Sequence, residues 1–375
     1  MSTLTKKRNS NIELLRIVAM LMVISIHFWG KCIMPSNENL YEPANLFGWF
    51  IRGFSYMGVN IFIITSAFFQ CTKKQFNLQG VVKLILEVWF YSVLIFLTLH
   101  ACGVAFSSGE ILSAFTPILS GEYWFITVYV GLYLLTPFLN KLIRSLSKNE
   151  MKLLLAILLI FFSVIPNIYP SSKWLNFGSG YGIVWFIVLY FIGAYLRLHV
   201  NFDQLYAKYK TRQLLAIMLL FWCLPIISKI AIAITTQILT GEIIASSAFY
   251  FKNSVILVPA SIVTFVAFNS IRISNQTTSH IINSLATGAF AVYLIHDNPL
   301  LSPILWGGVG KFITSELVSI PIWALSVIVI YATCCLIDVV RRKFFNLLGR
   351  LSIIEGCHKK IERVNEKIKP YIPQE

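Results

Sequence analysis

Glu13, Arg16 and His27 stand inside the first strongly apolar stretch of the chain, ELLRIVAMLMVISIH over 13–27. An ionisable side chain in such surroundings is costly to keep and is a functional candidate by default. Arg16 and His27 are eleven residues apart. At about 100° per residue they project from one face of a helix, roughly 16 Å apart along its axis. Such a face offers a guanidinium for an anionic ligand at one end. At the other it offers an imidazole whose unperturbed pKa suits proton transfer near neutrality. A structural reading is equally open on spacing alone. Arg16 can snorkel to a headgroup layer and pair with Glu13 at i,i+3, and His27 can be held by a neighbouring helix.

Positioning that pair falls to a chain that is apolar almost throughout. Hydrophobic residues make up 57% and charged residues 13%, with a mean hydropathy of +0.73, whereas a soluble domain carries about a quarter charged residues. The deficit runs along the whole length, which excludes a soluble protein with one anchor. Apolar segments fall at 11–30, 47–70, 81–101, 122–140, 151–168, 181–199, 213–234, 250–270, 283–305 and 317–340. Each is about 17–25 residues, enough to cross a hydrocarbon core as a helix. The expected fold is an all-α polytopic membrane protein of about ten transmembrane helices. The fifth segment is short, and Pro299 and Pro303 are expected to kink or end the ninth. The first is read as a retained helix rather than a cleaved signal, because Glu13 and Arg16 interrupt it and no small-residue cleavage site precedes His27.

The net charge of +15 sits in short basic clusters between apolar runs. That is a topology signal and an attraction to anionic lipid headgroups, and it comes with no nucleic-acid-binding motif. With the N-terminus cytoplasmic, 24 of the 31 Lys and Arg residues fall on the inner side. The outer side holds only Lys31, Lys173, Lys229, Lys252 and Lys311, so both termini are expected to be cytoplasmic. The division is a membrane-embedded domain over 1–340 and a basic cytoplasmic tail over 341–375, which could lie as an amphipathic helix on the membrane. The seven cysteines form no CxxC pair, and no His/Cys/Asp/Glu grouping has ligand spacing. Neither a disulfide framework nor a metal is implied.

Four segments, in order, carry a family resemblance. Arg8–Trp29, RNSNIELLRIVAMLMVISIHFW, resembles the opening of the acyltransferase-3 membrane family, with its Glu-Leu-x-Arg helix and a histidine eleven residues after the arginine. Gly58–Phe69, GVNIFIITSAFF, resembles the second-helix motif of that family, with Ala67 where a glycine is usual. Glu122–Pro137, EYWFITVYVGLYLLTP, resembles its Trp-Phe segment and aromatic-rich helix ending in Leu-x-Pro. Ala289–His296, AFAVYLIH, resembles its late Tyr-Leu-hydrophobic-His. Together they span about 10–340, the whole membrane region.

The resemblance implies an integral membrane acyltransferase of the cell membrane. Such enzymes move an acyl group, usually acetyl from cytoplasmic acetyl-CoA, to a hydroxyl of a surface polysaccharide or lipid-linked sugar. Arg16 would help to hold the anionic CoA. His27 would take the proton from the acceptor hydroxyl or carry the acetyl group itself, and a channel along the Arg16–His27 stripe would join donor to acceptor. His296 matches a family position, and both a catalytic part and a structural hydrogen bond between helices are open for it. Oxyanion donors could come from Ser66, Asn60, Tyr123 or Trp124, for each of which helix packing or interfacial anchoring is the simpler reading. Arg52 reads as a headgroup contact, and His100, His199, His280 and His358 are assigned no chemistry. The alternative function is a transporter or flippase of a lipid-linked sugar or small solute, although no internal repeat is evident. A sensor or scaffold would leave the Arg16–His27 pair without a purpose.

Overall fold

The computed structural model describes residues 9–73, 76–169, 178–244 and 246–348. Among them every regular element is helical, as expected of a chain whose backbone polar groups must be satisfied within each segment in lipid. In chain order the helices are α1 (Ser10–His27), α2 (Pro43–Ser55), α3 (Gly58–Gln70), α4 (Leu78–Ala101), α5 (Ser108–Phe115) and α6 (Trp124–Ser145). They continue with α7 (Lys148–Leu159), α8 (Ile165–Ile168), α9 (Ile183–His199), α10 (Phe202–Lys208) and α11 (Thr211–Thr240). The last are α12 (Leu257–Asn269), α13 (Gln276–Thr287), α14 (Ala289–His296), α15 (Ser302–Gly310) and α16 (Ser319–Leu348).

All ten apolar segments contain helix, but they are not ten equal spans. Eight stretches among the described residues are long and apolar enough to cross a membrane, and α9 with α10 makes a ninth if their 80° bend is counted as one span. The segment expected over 250–270 forms only the 13-residue α12. Its first residues turn instead of coiling, and they carry Lys252 into the interior at 4% exposure. The segment expected over 283–305 begins earlier, at Gln276, where the Asn275 side chain caps the helix by accepting from Thr278 N. It stops at His296. Asn298 Oδ1 then accepts from the amides of Leu300 and Leu301 and turns the chain into α15, with Pro303 in its first turn. The helix expected to end at 340 runs to Leu348. The rest of the basic tail, 349–375, and the first eight residues lie outside the described residues.

Small residues set how closely the central helices meet. A Cβ on Gly58 would lie 2.8 Å from the carbonyl oxygen of Ala19, so α3 can cross α1 only with glycine there. A Cβ on Gly193 would lie 2.5 Å from Ile64 O and 2.6 Å from the Ala67 Cβ, and α3 packs most extensively on α9 through this contact. Ala67, where glycine is usual, is thus accommodated by a glycine on the facing helix. The result is a core of α1, α3, α9, α12 and α14, with α1 buried at Leu15, Ala19 and Ile24.

Among the described residues, two clusters of paired charged side chains stand within this apolar packing. One joins α4 to α16. Tyr91 OH donates to Asp338 Oδ1 at 2.9 Å, Arg341 pairs with Glu87 and Asp338 at 2.7 Å each, and Arg342 pairs with Asp338 at 2.8 Å. The other lies where α1 meets the end of α14.

Candidate active site

His27 ends α1 where the helix widens into a π-helical turn over Phe28–Cys32. Such a turn changes the direction of the side chains around it, and π-turns often mark functional positions. His296 ends α14 and is fully buried. The two rings meet with His27 Nδ1 3.0 Å from His296 Nε2. The other nitrogen of His296, Nδ1, lies 2.5 Å from the carbonyl oxygen of Val292 one turn back.

That second contact fixes the protons. A carbonyl can only accept, so His296 carries its proton on Nδ1, and its Nε2 is the acceptor when the ring is neutral. His27 must then donate from Nδ1. Its Nε2 is left with a free lone pair, and His27 lines the central cavity. The chain Val292 O, His296, His27 therefore holds the His27 ring in the tautomer a general base requires, as a buried partner does for the histidine of a catalytic triad. Asp297 Oδ1 lies 3.6 Å from His27 Nδ1, close enough to stabilise the imidazolium once Nε2 has taken a proton. The carboxylate is itself held by Lys31 Nζ at 2.7 Å, and Lys31 also donates to Ser302 Oγ at 2.8 Å.

The turn carrying this apparatus is fastened from below. Tyr123 OH donates to Leu294 O at 2.9 Å and accepts from Asn298 Nδ2 at 2.7 Å, with Tyr123 fully buried. Tyr123 therefore positions the end of α14 and does not reach the cavity. Asn60 is likewise spent on structure: it donates to Lys252 O and Ser261 Oγ and accepts from Trp185 Nε1. Ser66 and Trp124 do line the cavity. Ser66 Oγ is shared between Tyr129 OH at 2.9 Å and Gln70 Nε2 at 2.5 Å. Of the four oxyanion candidates, two are thereby withdrawn by their hydrogen bonds.

The cavity holds about 710 Å³ and is lined by both Arg16 and His27, so the one-face geometry expected of α1 is realised. Arg16 also makes the expected i,i+3 ion pair, Nη1 to Glu13 Oε2 at 3.1 Å, and its side chain remains 38% exposed. The two readings of Arg16 therefore coexist: a salt bridge on the helix and a guanidinium at the cavity. Ligand-scale clefts occupy about 300–1,000 Å³, and this one is long enough to follow α1 from Arg16 to His27.

Several residues at the cavity were not legible as site residues. Arg52, read from sequence as a headgroup contact, is in the wall: its Nη1 donates to Trp29 O at 2.6 Å, and its Nη2 to Tyr56 OH at 3.2 Å. Lys252 was assigned to an outer loop but lines the cavity under the rings of Tyr181 and Trp124. Lys229, also assigned outside, is not in the cavity wall but lies fully buried within α11, with Nζ 3.7 Å from the centre of the Trp49 ring. One signal was available: a lone lysine beside an apolar run, with Trp and Tyr elsewhere to cover it. Asp297 was adjacent to His296 in the sequence, but its pairing with Lys31 depends on the turn after α14. Among the described residues no group of three His, Cys, Asp or Glu side chains could hold a metal ion.

The described residues thus form an all-helical membrane domain in which His27 lines a cavity and is backed by His296. The family described as an acyltransferase domain, acyltransferase-3, matches residues 9–339. The chain belongs to that family and is a membrane acyltransferase. No curated protein and no solved structure matches it.

Proposed function

We propose that the chain transfers an acetyl group from acetyl-CoA to a hydroxyl of a saccharide, either a surface polysaccharide or its lipid-linked precursor. The observation that carries this reading is the His27–His296 contact at 3.0 Å, with His296 Nδ1 committed to Val292 O. His27 Nε2 removes the acceptor hydroxyl proton as the oxygen attacks the thioester carbonyl. Asp297 and the His296 acceptor stabilise the resulting imidazolium. As the carbon–sulfur bond breaks, His27 returns the proton to the leaving thiolate, giving an ester and free CoA. The same Nε2 could instead attack the thioester itself, breaking the carbon–sulfur bond and releasing the CoA thiolate. The acetyl-histidine then passes its acetyl group to the hydroxyl, whose proton ends on the thiolate, and the imidazole is regenerated.

Arg16 is the donor-side anchor in this reading. A guanidinium suits phosphate, and its place roughly 16 Å along α1 from His27 leaves length for an extended pantetheine arm. The bias of Lys and Arg supports cytoplasmic termini, a cytoplasmic donor side at Arg16 and an outward acceptor side at His27, in a bacterial cytoplasmic membrane. The bent pair α9–α10 is also a feature seen in transporters, which keeps a transporter or flippase as the competing function.

Mass spectrometry and NMR of surface glycans from matched strains test the reading: parent, deletion, and deletion carrying His27→Ala at equal membrane levels. Ester-linked acetyl is expected in the parent and absent from the other two. Unchanged acetylation in both removes the proposal for that glycan and leaves transport as the function to test.

A further inference from the structure

Six charged side chains line the cavity: Glu13, Arg16, Lys31, Arg52, Lys252 and Asp297. Both carboxylates are committed, Glu13 to Arg16 and Asp297 to Lys31. Arg52 and Lys252 have no carboxylate partner among the described residues. They flank one ring, lying 5.9 Å and 5.7 Å from the centre of Tyr56. Arg52 is bound to the turn that follows His27, through Trp29 O. These two cations therefore belong to the His27 end of the cavity and not to the Arg16 end.

Lys252 is the more informative of the two. It is 4% exposed, and its Nζ has no hydrogen-bond partner among the described residues. Its nearest company is aromatic: the Tyr181 ring at 3.1 Å and the Trp124 ring at 4.9 Å. A buried ammonium held only by π-faces is costly, and the structure goes to some length to keep it there. Asn60 Nδ2 donates to the Lys252 carbonyl at 2.8 Å. Asn253 Nδ2 ties the next residue to Phe162 O at 2.9 Å. Gly180, at φ +87°, leaves room where a Cβ would come 2.7 Å from the Lys252 Cβ. On the other side Gly30 makes space for Arg52, whose Nη1 would lie 3.2 Å from a Cβ there.

We infer that the acceptor of this enzyme carries a negative charge: a saccharide whose carboxylate or phosphate sits between Lys252 and Arg52, with its ring against Tyr181 and Trp124. The anion supplies the counter-charge that the protein withholds, and the aromatic faces supply the apolar stacking surface that sugar rings use. The position places the acceptor hydroxyl beside His27. The inference rests on the acyl-transfer reading for its substrate, but the subsite itself can be tested by binding alone.

The experiment uses the full chain in lipid nanodiscs with three oligosaccharides identical except at one terminal unit: glucose, glucuronate and glucose 6-phosphate. Binding is measured by calorimetry and acyl transfer from acetyl-CoA by product analysis. At least one charged probe is expected to bind about tenfold or more tightly than the neutral one, the worth of a charge-assisted hydrogen bond. Lys252→Gln is expected to bring that ratio close to one, and Lys252→Arg to retain most of it. Which charged probe is preferred separates carboxylate from phosphate. Equal binding of all three by the unaltered protein overturns the inference. So does a Lys252→Gln protein with its preference intact and a raised KM for acetyl-CoA, which would assign the cations to the donor. Lys252-dependent binding of a charged probe without acylation of any probe would sink the transfer reading and keep the subsite. Acylation of all three at equal efficiency would do the reverse.

Discussion

The two polar clusters of this protein treat charge in opposite ways. Between α4 and α16, Glu87, Asp338, Arg341 and Arg342 close on one another: two carboxylates meet two guanidiniums, and Tyr91 satisfies a further lone pair. Asp338 is 1% exposed, and every charged side chain of the cluster has an opposite charge within 2.8 Å. In the cavity each carboxylate is matched by one cation, two further cations have no carboxylate among the described residues, and His27 Nε2 keeps a lone pair. Both clusters are ionisable groups in apolar surroundings, and burial alone does not tell them apart. The difference is the remainder after internal pairing. A closed account joins helices, and an open one receives a substrate.

The largest effect that would sharpen this contrast is expected at His27. Removing a general base costs about 10²–10⁴-fold in rate, so His27→Ala should lose transfer while its thermal stability stays near that of the parent. Asp338 is the converse. Asp338→Ala leaves Arg342 without its carboxylate and Arg341 with Glu87 alone, and should cost about 3 kcal/mol of stability. That loss would appear as a lower unfolding midpoint, with KM values unchanged in whatever protein survives. A stable Asp338→Ala protein with an altered substrate KM would break the comparison.

His296 comes next. His296→Leu removes the acceptor for His27 Nδ1 without touching Nε2, and orienting partners of this kind are worth about 10–100-fold. The loss is expected in kcat with little change in KM. A residue that served only to pack α14 would lower the melting temperature and leave kcat per folded molecule alone. The smallest effect is expected at Arg16, which is exposed to the cavity and already paired with Glu13. Arg16→Gln should raise the KM for acetyl-CoA severalfold, about 1 kcal/mol for an exposed and already paired guanidinium, with the acceptor KM unaffected.

Much of this was legible in the sequence, for identifiable reasons. Helix period put Arg16 and His27 on one face, because eleven residues close almost three full turns. Apolar run length placed helix in all ten expected segments, although only eight or nine stretches among the described residues are long enough to span. What the runs could not show was where a helix stops short. The turn over 251–256 and the break after His296 depend on Asn60, Asn253 and Asn298, each making hydrogen bonds to partners distant in the sequence or to local amides. Hydropathy is blind to both. Lys252 and Arg52 were read as outer or headgroup residues for a related reason: Lys252 is covered by rings on three other stretches of chain, Tyr56, Trp124 and Tyr181, and Arg52 is held by Trp29 O and flanked by Trp49 and Tyr56. His296 was named as a site residue, yet its contact with His27 spans 269 positions and no spacing rule reaches that far.

The most direct test of the account is single-turnover transfer from radiolabelled acetyl-CoA by the purified chain in nanodiscs, comparing the parent with His27→Ala and with CoA binding measured in parallel. The account predicts that both proteins bind CoA alike and that only the parent passes acetyl to the saccharide. Transfer by His27→Ala at the parental rate would contradict it, and would move the chemistry away from the paired histidines.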